Sequence, residues 1–194
     1  ILLHPEARGN FKTAPRYGKL REPVQMATNL GRLFNAKNFF VNGPSDGMLS
    51  SPVSRMGQNP FYSPTVFNYF SPDYMIPGTN ILAPEFELMN TGLGINRINF
   101  VYTMIFFGIQ PNATDTLQGT SLVLDDPVNI SFADPSGNDL MDYLNHKMMH
   151  GTMTQEQRAS ILNAVLAVPP TSPVLRARQA VYLVAASSQY QIQR

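Results

Sequence analysis

Residues 59–90 read NPFYSPTVFNYFSPDYMIPGTNILAPEFELMN. Prolines at 60, 64, 72, 77 and 84 forbid a single long helix, because each lacks an amide proton and clashes with the preceding turn. The stretch is also too rich in aromatic and aliphatic side chains to be a solvated linker. It reads as an ordered loop, a short helix, a second loop and the start of a long helix. Ser63-Pro64 supplies an N-cap and a first-turn proline for the short helix, which runs through Val66, Phe67 and Phe70. Ser71-Pro72-Asp73 ends it, and Pro77-Gly78 marks a turn in the loop that follows. The flanking segments are expected to be helices packed around this stretch.

Upstream, residues 1–7 look like the end of a helix closed by Gly9-Asn10, and residues 10–21 form a basic loop. A helix starts near Glu22, with Pro23 in its first turn and Val24, Ala27, Leu30, Leu33 and Phe34 at helical spacing. Gly31 weakens that helix and allows a close contact. Residues 35–58 hold no sustained period; Asn-Gly, Gly-Pro, Asp-Gly and Ser-Pro pairs mark turns, with Phe39, Phe40 and Val41 as anchors to the core. Downstream, Pro84 opens the longest helical pattern, running to Phe106, which Gly92 and Gly94 would kink or split. Residues 110–137 read as loop, with short strands at 121–124 and 128–132. A helix is expected over 136–150, with Gly151 as its C-terminal cap. Thr154 and Gln157 form a capping-box pattern that opens another helix, stopped by Pro169-Pro170. Ser172-Pro173 starts the last helix, burying Leu175, Ala177, Val181, Val184 and Ala185. The sum is a mainly α fold: about six helices around long ordered loops, with at most a minor β-hairpin, in a single helical domain over 1–194.

Composition narrows the function classes. With 194 residues, 43% hydrophobic and 14% charged, the chain can bury a sizeable core. A net charge of +1 predicts no general attraction to nucleic acid or anionic membrane. Basic residues gather in 1–22, and Asp115, Asp125, Asp126, Asp134, Asp139 and Asp142 gather in 111–145 without a Lys or Arg; solvated surface is the simpler reading of both blocks. No cysteine is present, so disulfides, thiolate metal sites and thiol nucleophiles are excluded. The longest apolar run, 98–109, is too short and too interrupted for a membrane span. The chain begins with Ile in sequence of mid-helix character, which reads as a fragment or a processed piece.

Candidate chemistry is sparse. His146 and His150 stand at i, i+4, a spacing that lets two imidazoles reach one zinc, with Asp142 one turn earlier as a third ligand. The glutamate of a metalloprotease helix is missing between them. The simpler reading is a polar stripe near a helix C-terminus. Asp125, Asp126, Asp134 and Asp139 would suit calcium, though their spacing matches no EF-hand, and Asp134 is more simply an N-cap or Asx-turn residue. His4 with Glu6 is a minimal metal or acid/base pair. Tyr17, Lys19, Arg21 and Glu22 could clamp an anionic group, or fix the loop to the following helix by ion pairing. Glu85 and Glu87, at i, i+2, do not share a helix face. Phe61, Tyr62, Phe67, Tyr69, Phe70 and Tyr74 could form a platform for a sugar or polymer, with burial in the core as the more frequent use of such residues. No cofactor is expected; calcium or zinc are the alternatives. No nucleophile elbow, phosphate loop or dinucleotide fingerprint occurs.

ILLHPEAR at the start, YGKLREPV at 17–24, NPFYSPTVFNYFSPDY at 59–74, LAPEFELMN at 82–90 and RARQAVYLVAASSQYQIQR at 176–194 together resemble the C-terminal part of the bacterial DUF1800 proteins, a family of unknown function. The resemblance implies a mostly helical fold that is part of a longer protein, and an extracytoplasmic home: periplasmic, cell-surface or secreted. It also implies a protein partner, either the protein's own N-terminal region or a DUF1501-type protein. It supplies no catalytic residues. The expected function is therefore a non-catalytic binding or structural domain for a protein or a surface polysaccharide. The alternative is a hydrolase-like, metal-dependent enzyme whose site is shared with an N-terminal region.

Overall fold

The computed structural model describes residues 3–9, 17–38, 45, 48–111 and 119–193. Its elements run α1 (Pro5–Arg8), β1 (Lys19–Leu20), α2 (Pro23–Leu33), α3 (Ser50–Arg55), a 3-10 turn (Pro84–Leu88), α4 (Thr91–Phe106), α5 (Asp125–Ala133), α6 (Asn138–Met149), α7 (Gln155–Leu166), α8 (Pro173–Ala186), α9 (Ser188–Gln191) and β2 (Ile192–Gln193). Six of the helices among the described residues have nine residues or more. The fold is mainly α, with one two-stranded sheet.

The core gathers on α8. Ala177, Ala180, Val181, Val184 and Ala185 are all fully buried, and their i, i+3, i+4, i+7, i+8 spacing makes one wide apolar face. Small side chains let neighbouring backbones come close, so α8 packs against α4, α5, α6 and α7 at once. Leu140, Met141, Leu144 and Met148 from α6, Met104 and Ile105 from α4, and Met26 and Leu30 from α2 complete the cluster. Burying side chains of this size stabilises by about 1.5–3 kcal/mol each.

Several local signals act as the sequence indicates. Pro23 opens α2. The Thr154 hydroxyl accepts from the Gln157 amide at 3.2 Å to cap α7. His150 and Gly151 close α6 in left-handed conformations, φ 52° and 81°. The Thr79 amide donates to the Ile76 carbonyl across Pro77-Gly78, with Gly78 at φ 78° as such a turn requires.

Several expectations are corrected. Residues 125–133 are helix, so no strand forms at 128–132; Asp125, Asp126 and Pro127 in the first turn favour a helix start, and packing on α8 overrides the β-branched Val128 and Ile130. Residues 121–124 form no strand; Ser121 makes an isolated bridge with Lys37, and Thr120 before it makes one with Ile109. No helix forms through Val66, Phe67 and Phe70: Thr65 bridges Asn68, whose φ is 81°, and the Thr65 hydroxyl takes the Phe67 amide at 3.1 Å. Local side-chain bonds win there because no packed face supports a helix. The pattern after Pro84 breaks at Met89-Asn90, not at Gly92 or Gly94; the Asn90 side chain accepts from the Leu93 amide at 2.9 Å and starts α4 afresh. Finally, the helices do not wrap the proline–aromatic stretch. They wrap α8. In addition, α3 was not signalled, since six residues are too few to show a period. Phe39, Phe40 and Val41 lie outside the described residues.

Candidate functional site

The proline–aromatic stretch is an arm on the outside of the helices. Its backbone is closed by its own bonds. The Ile76 amide donates to the Ile81 carbonyl and the Ala83 amide to the Tyr74 carbonyl, each at 3.0 Å, to form a small hairpin. The Tyr69 hydroxyl donates to the Asn59 carbonyl. The Ser71 amide donates to Glu87 Oε2 at 2.5 Å, which ties the arm to the 3-10 turn. Its apolar side chains point outward: Phe61 is 100% exposed, Val66 94%, Tyr62 75% and Phe67 68%, with Met75, Ile81 and Leu82 also in solvent. Phe61 moreover sits at φ 67°. A bulky residue there is strained, and no packing against the described residues offsets that strain.

The outer face of α4 continues the theme. The helix is apolar over much of its surface, apart from a polar stripe at Asn96, Asn99 and Thr103. Phe100, Val101, Met104 and Ile105 face the core, while Ile95, Ile98 and Tyr102, at i, i+3, i+7, are exposed. Tyr102 stacks edge-on with Phe107 and Tyr182, ring centroids 5.7 and 5.8 Å apart.

A second group of residues ties the two ends of the chain together. β1 pairs with β2, Lys19 opposite Gln193 and Leu20 opposite Ile192. Arg21 Nε donates to the Tyr190 carbonyl at 2.8 Å, and the guanidinium lies 4.9 Å from the Tyr190 ring centroid. The Tyr190 hydroxyl donates to Asn29 Oδ1 at 2.8 Å, and burial pushes its pKa up to about 12. Arg97 is wholly buried, and its Nη1 donates to the Arg21 carbonyl at 2.9 Å. Its Nε and Nη2 find no partner among the described residues, and burial pulls its pKa down to about 10. Gln58 joins this network, donating to Glu22 Oε2 at 2.6 Å and accepting from the Val24 amide at 2.9 Å. The anion-clamp residues are thus engaged in closing the fold: Lys19 pairs with Glu85 at 3.8 Å, and Arg21 and Glu22 hold the network. Tyr17 is half-buried beside them in sequence.

The metal candidates do not come together. Asp142 Oδ1 lies 2.8 Å from Arg158 Nη1. His146 is exposed on α6, and His150 is the residue that caps the helix, at a left-handed φ of 52°. Among the described residues no group of three or more His, Asp or Glu is arranged to hold a metal ion. Asp134 accepts from the Asp139 amide at 3.0 Å and from Ser136 at 2.9 Å. The Asp139 amide and the Ser136 hydroxyl hold its carboxyl below the usual range. It is a capping residue at the entry to α6. Asp125 and Asp126 lie in the first turn of α5, and Asp126 accepts from the Tyr143 hydroxyl at 3.3 Å. His4 is exposed; the side chain of Glu6, like Asp115, is outside the described residues. Of the six aromatics read as a platform, Tyr62, Phe61 and Phe67 are exposed, and Tyr69, Phe70 and Tyr74 are half-buried.

Sequence reasoning missed Arg97, Arg176 and the cleft between α3 and α4. Arg176 is buried, donating from Nε to Val168 O and from Nη1 to Pro135 O, both at 2.7 Å. A charge inside an otherwise apolar helical pattern was the available signal for both arginines.

The architecture defines a helical protein with an exposed apolar arm. Residues 1–192 match the family described as "Protein of unknown function (DUF1800)". The chain belongs to that family. No curated protein and no solved structure matches it. Among the described residues no helix is long and apolar enough to cross a membrane.

Proposed function

We propose that this chain is a binding domain whose proline–aromatic arm docks a protein partner. The observation that carries the reading is the outward display of Phe61, Tyr62, Val66 and Phe67 on a backbone fixed by its own hydrogen bonds. Contiguous exposed apolar residues of this kind mark interaction surfaces, and rigid aromatic anchors carry most of the energy in interfaces. The family resemblance supports an extracytoplasmic bacterial setting, and a partner that is either an N-terminal region of the same protein or a separate polypeptide.

The test is complex formation by the protein as its source makes it. A Val66→Asp, Phe67→Asp variant should fold with an unchanged melting temperature, because both side chains are exposed. It should lose partner binding by a factor of about 30 or more, the effect of removing an aromatic anchor worth about 2 kcal/mol. Equal affinity for variant and wild type in a titration with the purified partner would remove the arm from the interface. A protein that runs alone at 21.6 kDa from its native source would remove the partner.

A further inference from the structure

Between α3 and α4 lies a half-open cleft of about 510 Å³, within the size range of small-molecule sites, roughly 300–1,000 Å³. Its lining is mixed: Met48, Pro52, Phe100 and Ile109 stand beside a set of polar side chains. On α4, Asn96, Asn99 and Thr103 line it, and their i, i+3, i+7 spacing makes one stripe on an otherwise apolar helix. On α3, Ser51 and Arg55 line the opposite wall at i, i+4. The two walls are pinned together, since Asn96 Nδ2 donates to the Arg55 carbonyl at 2.6 Å. The cleft is thus formed before anything enters it. Phe107, 57% exposed, and Gln110 also line it. The ion pairs among the described residues join Lys19 to Glu85, Lys147 to Asp126 and Arg158 to Asp142; none uses Arg55.

We infer that this cleft binds an acidic sugar unit, a pyranose ring carrying a carboxylate. Carboxamides and hydroxyls each offer donors and acceptors, which is what adjacent ring hydroxyls require. An exposed aromatic ring gives the apolar face of a pyranose a surface to lie on. A lone guanidinium recognises a carboxylate by charge-assisted bonds. A nonpolar ligand would leave the Asn96–Asn99–Thr103 stripe desolvated and unmatched, at a cost for each group. A neutral sugar would leave Arg55 unused. The inference concerns a different surface from the docking arm and goes beyond that reading.

The probes are glucuronate, glucose and acetate, titrated into the native protein by calorimetry, with amide chemical-shift mapping. Glucuronate should bind saturably with shifts at 51–55 and 96–110. Glucose should bind at least about tenfold more weakly, for want of the charge-assisted bond, and acetate should not compete at equal concentration. Arg55→Gln should erase the preference for glucuronate over glucose without moving the melting temperature, because Arg55 is exposed. Asn99→Leu should weaken both sugars. Unsaturable glucuronate heats, shifts confined to other residues, acetate competing equally, or Arg55→Gln retaining the preference would each overturn the assignment. The Val66→Asp, Phe67→Asp variant should bind glucuronate normally, and Arg55→Gln should retain the protein partner, so the two readings fail separately.

Discussion

At the scale of single residues, Arg97 and Tyr190 show how burial sets pH behaviour. Arg97 has a folded pKa of about 10, below its ordinary value. As pH rises past 10 the folded state releases this proton while the unfolded state keeps it, so the unfolded state binds more protons and stability rises. Tyr190 runs the other way. Its pKa rises from 10.0 to about 12. The unfolded chain loses the phenolic proton near 10 and the folded chain keeps it to about 12, so stability present below pH 10 is lost across that window. Each contributes a slope of at most about 1.4 kcal/mol per pH unit, with opposite signs over nearly the same range. Denaturant unfolding between pH 9 and 12 checks this. Relative to wild type, Tyr190→Phe should turn the profile upward and Arg97→Met downward. At pH 7, Arg97→Met should be neutral or stabilising by roughly 1–2 kcal/mol, because it removes a buried charge that pairs with no carboxylate among the described residues. Parallel profiles for all three proteins would show that neither group titrates in this range with the fold.

At the scale of elements, Asn90 decides where α4 begins. Its side chain takes the Leu93 amide, one of the orphan donors of the first turn. Asn90→Ala should lower stability by about 1 kcal/mol, measured by thermal or urea unfolding. No loss would mean that the preceding 3-10 turn carries the boundary. The same position explains what could be read in advance. Pro23, Pro173, Thr154 and the Gly151 closure are chemical signals confined to a few neighbouring residues, and they placed α2, α8, α7 and the end of α6 within a few residues. The α8 face was legible because Ala177, Val181, Val184 and Ala185 repeat at helical spacing. Asp125-Asp126-Pro127 was also a helix start, but the β-branched residues after it pointed to strand, and only contact with α8 decides between them. The arm was legible as ordered loop and unreadable as surface. Composition cannot distinguish aromatic residues that fill a core from those displayed on its outside. The α3–α4 cleft was invisible for a related reason: residues 51–55 and 96–103 are far apart in sequence, and neither stripe means anything until the other faces it.

At the scale of the whole molecule, stability is divided between a core on α8 and an arm that contributes almost nothing to it. Local opening free energy follows buried apolar contact. The amides of α8 sit among side chains that are fully buried, so they exchange only through global unfolding. Natural domains resist that by about 5–15 kcal/mol. The arm's amides at Tyr62 and Asn68 are held by single turn bonds under exposed side chains. Hydrogen exchange on the free chain should therefore show arm amides exchanging at least about a thousandfold faster than those of 177–185. Chymotrypsin should cut first at Phe61, Tyr62 or Phe67. Partner binding should slow exchange and cleavage in the arm in proportion to occupancy and leave the α8 rates to follow the added stability alone. An arm that exchanges as slowly as α8 in the free protein would belong to the core, and its exposed aromatics would need another explanation than docking. A fast arm that stays fast in the complex would place the partner elsewhere, with the outer face of α4, at Ile95, Ile98 and Tyr102, as the surface to test next.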